Sequence, residues 1–256
     1  MAGINFSTEE MKQRVIFGIP LFDSEGNPFP EDLLQSYLDS AINWAEQTLG
    51  IAIQPRDEEE NHDYIASDYM NWNYLRLWKK PILEIETVEM VYGNARMFNI
   101  PNDWLKIDRL SGVIQIFPIS GSAGGLIINA GGGAWQPLIH GQMGYAPQMW
   151  RIKYKAGMTE SEEKQVYRQT TIHPMLKDLI YRKTAMGVMG VWGDLIIGAG
   201  IANQSVGVDG LNQSIGTTQS AMFGGASARI KQLQEDIDGM LPTLQAYYGG
   251  INMTVI

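Results

Sequence analysis

The chain has 256 residues, 45% apolar and 18% charged, a size and balance that can bury a core in one large domain or two small ones. Its net charge of −9 argues against a general nucleic-acid binder, and its lack of cysteine excludes disulfides and thiolate metal sites. MAGINFSTEEMKQ at the N-terminus has no apolar run of the kind a secretory signal carries.

Ser7-Thr8-Glu9-Glu10 has the S-x-x-E capping pattern that opens a short helix. The turn cluster DSEGNPFP (23–30) leads to Pro30, with Glu31 and Asp32 at the positive end of the next helix. Leu34, Leu38, Ala41, Ile42, Ala45 and Leu49 then recur at helical spacing until Gly50. The charge run RDEEENHD (56–63) reads as a solvated loop in preference to a cation site at Asp57, Glu59 and Asp63.

From Tyr74 to Lys155 the apolar period changes to two. Strands are predicted at 74–78, 82–91, 95–100, 104–108, 113–117, 126–129 and 150–155, forming an antiparallel meander. Residues 130–148, AGGGAWQPLIHGQMGYAPQ, read as a contact loop in which Trp135, His140 and Tyr145 are the candidate partner contacts. In WRIKYK, Arg151, Lys153 and Lys155 share one strand face. Glu84 and Glu86 have the matching spacing, so cross-strand pairing is the first reading of these cations; a protein interface and a DNA contact are the other two.

After Gly157 the pattern turns helical through MTESEEKQVYRQ (158–169). A second run starts at Pro174, with Met175, Leu176, Leu179 and Ile180 at core spacing. It continues into AMGVMGVWGDLIIGAGIA (185–202), where Asp194 sits mid-segment, so a protein-buried helix is favoured over a membrane span. Gly187, Gly190 and Gly193 recur at every third position; each costs about 1 kcal/mol of helix stability, which close packing on a neighbour offsets. The Gly/Ser/Asn-rich stretch 200–225 reads as an ordered loop or hairpin centred on Val208-Asp209-Gly210. An amphipathic helix follows over 226–248, with Ile230, Leu233, Ile237, Met240, Leu241, Leu244 and Tyr247 as its stripe, and the chain ends in the strand-like INMTVI. The fold class is therefore α+β: a helical bundle with an inserted β-meander, an ordered loop and a strand-like tail. The expected parts are an N-terminal helical part (1–73), a β region (74–156) inserted into one helical domain, and a C-terminal helical part (157–256).

No local pattern for catalysis stands out. DLIIGAGIAN (194–203) imitates a dinucleotide-binding fingerprint, but Asn203 occupies the third glycine position and SVGVDG does not continue as a helix. His62, His140 and His173 lie far apart, and Glu84/Glu86 suit a solvent face. No catalytic, cofactor or metal residue is assigned. A dinucleotide enzyme is a remote alternative.

The order of elements carries a resemblance. A helix LDSAINWAEQTLGI (38–51) precedes LRLWKKPILEIETVEMVYGN (75–94), NDWLKIDRLSGVIQIFP (102–118) and WRIKYKAGM (150–158). This series resembles the head-tail connector, or adaptor, proteins of tailed bacteriophages. In that family a helix ending in Leu-Gly leads to a strand with basic, proline and hydrophobic residues in sequence. A Tyr-x-Ala-Gly strand then precedes the helical bundle. The stretch 193–233 is similar to a segment of larger virion neck proteins of this kind, and the resemblance spans about 38–256.

The resemblance implies a structural virion protein, assembled in the host cytoplasm, that forms a ring, usually twelvefold, below the portal. Its expected partners are other copies of itself, the portal, and the next neck or tail protein, with genomic DNA passing through unbound. The candidate interface residues are Gly187, Gly190, Gly193, Val206, Val208, Asp209, Leu211 and the tail Asn252, Met253, Thr254, Val255 and Ile256. The tail suits strand addition to a neighbour or to the portal. A virion module that binds host surfaces or glycans through the loop Trp135–Tyr145 is the alternative.

Overall fold

The computed structural model describes residues 4–22, 25–65, 67, 74–93, 95–116, 145–160, 170–197, 203–208, 211–216 and 226–249. The protein is α+β and divides into two units, one built mainly from Gly50–Ile172 and the other from Asn5–Leu49 with His173–Ile251.

In the second unit, α1 (Thr8–Val15) begins where Ser7 accepts a hydrogen bond from the Glu10 amide, as the capping pattern predicts. Helix α2 (Glu31–Leu49) buries Leu34, Leu38, Ala41, Ala45 and Leu49, and Gly50, at φ +61°, ends it. Helix α3 (Pro174–Ile197) buries Leu176, Leu179 and Ile180, whereas Met175 is only partly covered. Helix α4 (Ser227–Gly249) buries Ile230, Leu233, Ile237 and Leu244. Its stripe ends on Tyr248, not Tyr247: the Tyr248 hydroxyl accepts the His173 amide at 3.2 Å, while Tyr247 is 39% exposed. Arg182 on α3 ties Asp178 to Asp236 on α4, and Tyr181 donates to Glu10 of α1 at 2.6 Å.

The same unit carries the expected hairpin. Strands β8 (Asn203–Val208) and β9 (Leu211–Gly216) pair antiparallel, closing at Val208↔Leu211. Asp209 and the tail Asn252–Ile256 lie outside the described residues, as does most of 158–169.

The first unit has β1 (Arg56–Ile65), β2 (Tyr74–Arg76), β3 (Ile82–Tyr92), β4 (Ala95–Ile100), β5 (Leu105–Asp108), β6 (Val113–Ile116) and β7 (Tyr145–Ala156). All its pairings are antiparallel, but they do not follow chain order. One sheet runs β1-β7-β3-β4 and the other β2-β6-β5. Strand β7 returns to the middle of the first sheet, so the region is two sheets instead of one meander. They enclose a shared core of Leu75, Ile85, Ile114, Trp150, Ile152 and Tyr154, with further apolar side chains. Trp104 belongs to a short 3-10 turn and not to the strand predicted for it. The predicted strand at 126–129 lies outside the described residues.

The charge run at 56–63 is a strand, not a loop. Its alternation is masked by acids on both faces: Glu60 and Tyr64 are buried, while Asp57 and Glu59 point away from the core. Acids are tolerated on that outer face because β7 sets its cations beside them.

Three segments meet at the edge of this unit. The Ala52 amide donates to the Lys80 carbonyl at 2.6 Å, the Gly157 amide to Pro81 at 2.9 Å, and the Met158 amide to Ile53 at 3.0 Å. Gly157 has φ +137°, and a Cβ there would stand 2.6 Å from the Pro55 Cα. Only glycine fits both the backbone conformation and the space. Gly157→Ala should therefore lose about 2–4 kcal/mol of stability by urea unfolding; a loss of less than about 0.5 kcal/mol would show that the junction yields freely.

Candidate interaction surfaces

The outer face of the first sheet answers the question raised by WRIKYK. Arg151 and Lys153 lie 3.6 and 3.5 Å from Glu59, and Lys155 lies 3.4 Å from Asp57. The partners are on β1 and not on Glu84 and Glu86, although the register does set Glu84 opposite Lys155. Glu89 on β3 adds an ion pair with Arg96 at 3.2 Å. The cation row thus runs between two acidic strands. Half-exposed pairs of this kind are worth at most about 1 kcal/mol each, so they set register more than stability. A phosphate backbone would meet carboxylates on either side of the row.

Beneath this face is a charge the sequence did not single out. Glu60 is 3% exposed. Its carboxylate accepts the Trp78 amide at 3.1 and 3.0 Å, the Lys79 amide at 3.3 Å, and the Tyr154 hydroxyl. The His62 ring nitrogen lies 2.8 Å from its other oxygen. Burial pushes the Glu60 pKa up, but the hydrogen bonds from His62, Tyr154 and the Trp78 amide outweigh it and hold the carboxyl below its ordinary value. Burial and the hydrogen bond to Glu60 push the Tyr154 hydroxyl far upward. The carboxylate is a clamp: it fixes the backbone of 78–79 and leaves Trp78, itself 67% exposed, standing on a rigid base beside the His62 ring at 5.3 Å. Local pattern gives little away, because Glu60 sits inside an acidic run and only His62 among its donors is near in sequence; the others come from the loop after β2 and from β7.

On the helical unit, Phe17 is 85% exposed at the rim of an apolar cavity of ≈ 350 Å³ lined by Ile16, Pro20, Leu21, Phe29 and Leu34. The glycine ridge divides. A Cβ on Gly187 would stand 2.5 Å from the Tyr37 ring, so this glycine seats α3 against α2 of the same chain. Gly190 faces open space and Gly193 is buried. Val206, Val208 and Leu211 lie on the paired strands β8 and β9. Tyr145 opens β7 and donates to Asp63 at 2.9 Å, so the structure draws it from the expected loop into the sheet. Trp135 and His140 lie outside the described residues.

Among the described residues, no group of His, Asp or Glu is arranged to hold a metal ion. Among them, too, no helix is long and apolar enough to cross a membrane.

No protein-family model matches the chain, and no curated protein matches it. Among solved structures, a chain from the neck of an empty gene transfer agent (GTA) particle, computed with C6 symmetry, is similar to this one. The TM-score is 0.38 and the identity 14%, over 70% of this chain and 76% of that one. At that level the two share too little geometry to transfer a residue or a role.

The Glu60 clamp makes stability depend on pH in one direction. Its folded pKa is lowered, so its contribution is fully present above the unfolded carboxylate value and is lost as pH falls through the folded value. Glu60→Gln should cost roughly 1–3 kcal/mol near neutral pH and cost less in acid. Urea unfolding at about pH 7 and about pH 3 checks this; an equal loss at both would mean the charge is not what holds the loop.

Proposed function

We propose that this protein is a structural component of a virion neck, a head-tail adaptor whose copies form a ring below the portal and surround the DNA channel. The observation that carries the reading is the junction of three segments. Three of the phrases that resemble the adaptor family, 38–51, 75–94 and 150–158, contain Leu49-Gly50, Lys80-Pro81 and Ala156-Gly157. Gly50 ends α2, and the segments that follow or contain these residues bond to one another through Ala52–Lys80 and Gly157–Pro81. A resemblance assembled from short phrases gains weight when those phrases form one physical unit.

Two further features support the reading. Two charged groups of the β unit are held within it: Glu60 by its four donor residues, and the β7 cations by β1. The surface that remains includes large apolar side chains, Phe17 and Trp78 foremost, which suit protein contacts. The resemblance sets the ring at twelvefold, with the portal on one side and the next neck or tail protein on the other. The DNA passes without a base- or phosphate-specific grip, consistent with a net charge of −9.

Negative-stain imaging of the protein mixed with its portal should show a second ring stacked on the portal. A chain that stays monomeric and never binds portal contradicts the proposal. The tail provides a second check. Removing Asn252–Ile256, beyond the end of α4 at Gly249, should leave the melting of the free chain unchanged and weaken ring assembly. A truncated chain that fails to fold would make the tail part of the core instead.

A further inference from the structure

The β8–β9 hairpin forms a sheet of its own among the described residues. Its register is Asn203↔Gly216, Gln204↔Ile215, Ser205↔Ser214, Val206↔Gln213, Gly207↔Asn212 and Val208↔Leu211, with no shift along it. The connection is two residues, so the closing pair Val208↔Leu211 exchanges hydrogen bonds. Alternate pairs do the same, at 206↔213 and 204↔215. The residues between them, Asn203, Ser205 and Gly207 on β8 and Asn212, Ser214 and Gly216 on β9, turn their amides and carbonyls outward. Among the described residues the hairpin is a two-stranded sheet, with no third strand on either edge. Such a hairpin is marginal by itself.

Its edges are also unguarded. Exposed strand edges are normally protected by charge, proline or a bulge. The edge strand β1 has both a run of acids from Asp57 to Glu60 and a register shift against β7. Strands β8 and β9 contain no charged residue, no proline and no bulge. Between Asp194 and Arg229, Asp209 is the only charge. In a chain of net charge −9, a stretch with a single charge is one along which two copies repel only weakly.

We infer that the hairpin is the contact between neighbouring copies: the outer edge of β8 in one copy pairs with the outer edge of β9 in the next. This rests on the ring reading above and names the surface that closes the ring. Rotation about a ring axis keeps β8 running one way and β9 the other in every copy. Each junction of β8 with the next β9 is therefore antiparallel, and the contact is head-to-tail and closes. Closure satisfies every outward amide and leaves no edge. The register also sorts the two surfaces of the ladder. Positions 204, 206, 208, 211, 213 and 215 share one face, and the apolar residues Val206, Val208, Leu211 and Ile215 all fall there. The opposite face has only Asn, Ser and Gly and no cation.

Ser205→Pro and Ser214→Pro, each in the full chain, test this. Each removes one outward amide and spares the amides that hold the hairpin together. Ring formation is read by sedimentation and negative stain, alone and on portal, beside the thermal melt of the free chain. The expected result is an unchanged melt with at least about a tenfold loss of rings. Variants that form rings as well as the wild type overturn the hairpin contact and leave the ring reading standing. Variants that keep rings but lose portal binding overturn the choice of a second copy and assign the edge to a portal strand. A wild-type chain that forms no ring in either condition overturns both. If a proline variant melts early, amide exchange in the wild type replaces it. The amides of Ser205, Gly207, Asn212 and Ser214 should slow by about a hundredfold on ring formation, and unchanged exchange overturns the inference.

Discussion

Gly157 and the segments it touches are the constraint on which the β unit depends. The residue must adopt φ +137° with no room for a Cβ beside Pro55, and its amide must reach the Pro81 carbonyl. That fixes where β7 ends. It also fixes how the segment after α2 and the entry to β3 are held, because Ala52 and Met158 bond across the same point. Once β7 ends there, its register with β1 and β3 follows. Trp150, Ile152 and Tyr154 are then set inward, and Arg151, Lys153 and Lys155 outward.

The consequence is that the unit's polar groups serve its architecture. The Tyr154 hydroxyl, delivered inward by that register, meets Glu60. Glu60 in turn holds the amides of residues 78 and 79 just before the Pro81 carbonyl that receives Gly157. The cations facing outward meet Asp57 and Glu59. A buried carboxylate with this many donors is costly to disturb. It holds the backbone from which the exposed Trp78 side chain projects.

How much of this was legible depends on the range of the interaction. Helix α2 was readable because Pro30, the acids after it, the apolar period and Gly50 all act within a few residues. The β8–β9 hairpin was readable because Asp209-Gly210 stands between two alternating runs. Strand β1 was hidden because four consecutive acids look solvated, and only the matching two-residue spacing of Asp57/Glu59 and the β7 cations could have exposed it. The two-sheet arrangement was not readable, since β7 enters between β1 and β3 after a long detour and no local pattern encodes that choice. Glu60 escaped notice for the same reason: apart from His62, its partners are distant in sequence. For the glycine ridge, spacing announced close packing, but only the structure separates Gly187, which seats Tyr37, from Gly190, where a Cβ would meet open space.

Glu60 and the β7 cations find their partners within the β unit, whereas among the described residues the β8–β9 hairpin has no third strand. On the proposed reading the chain works as one copy in a ring at a virion neck. Imaging the intact particle that carries the protein tests this most directly. The account predicts a closed ring of copies between capsid and tail, encircling the DNA channel. Particles in which the chain is absent from the neck, or is present there as an isolated copy, would contradict it.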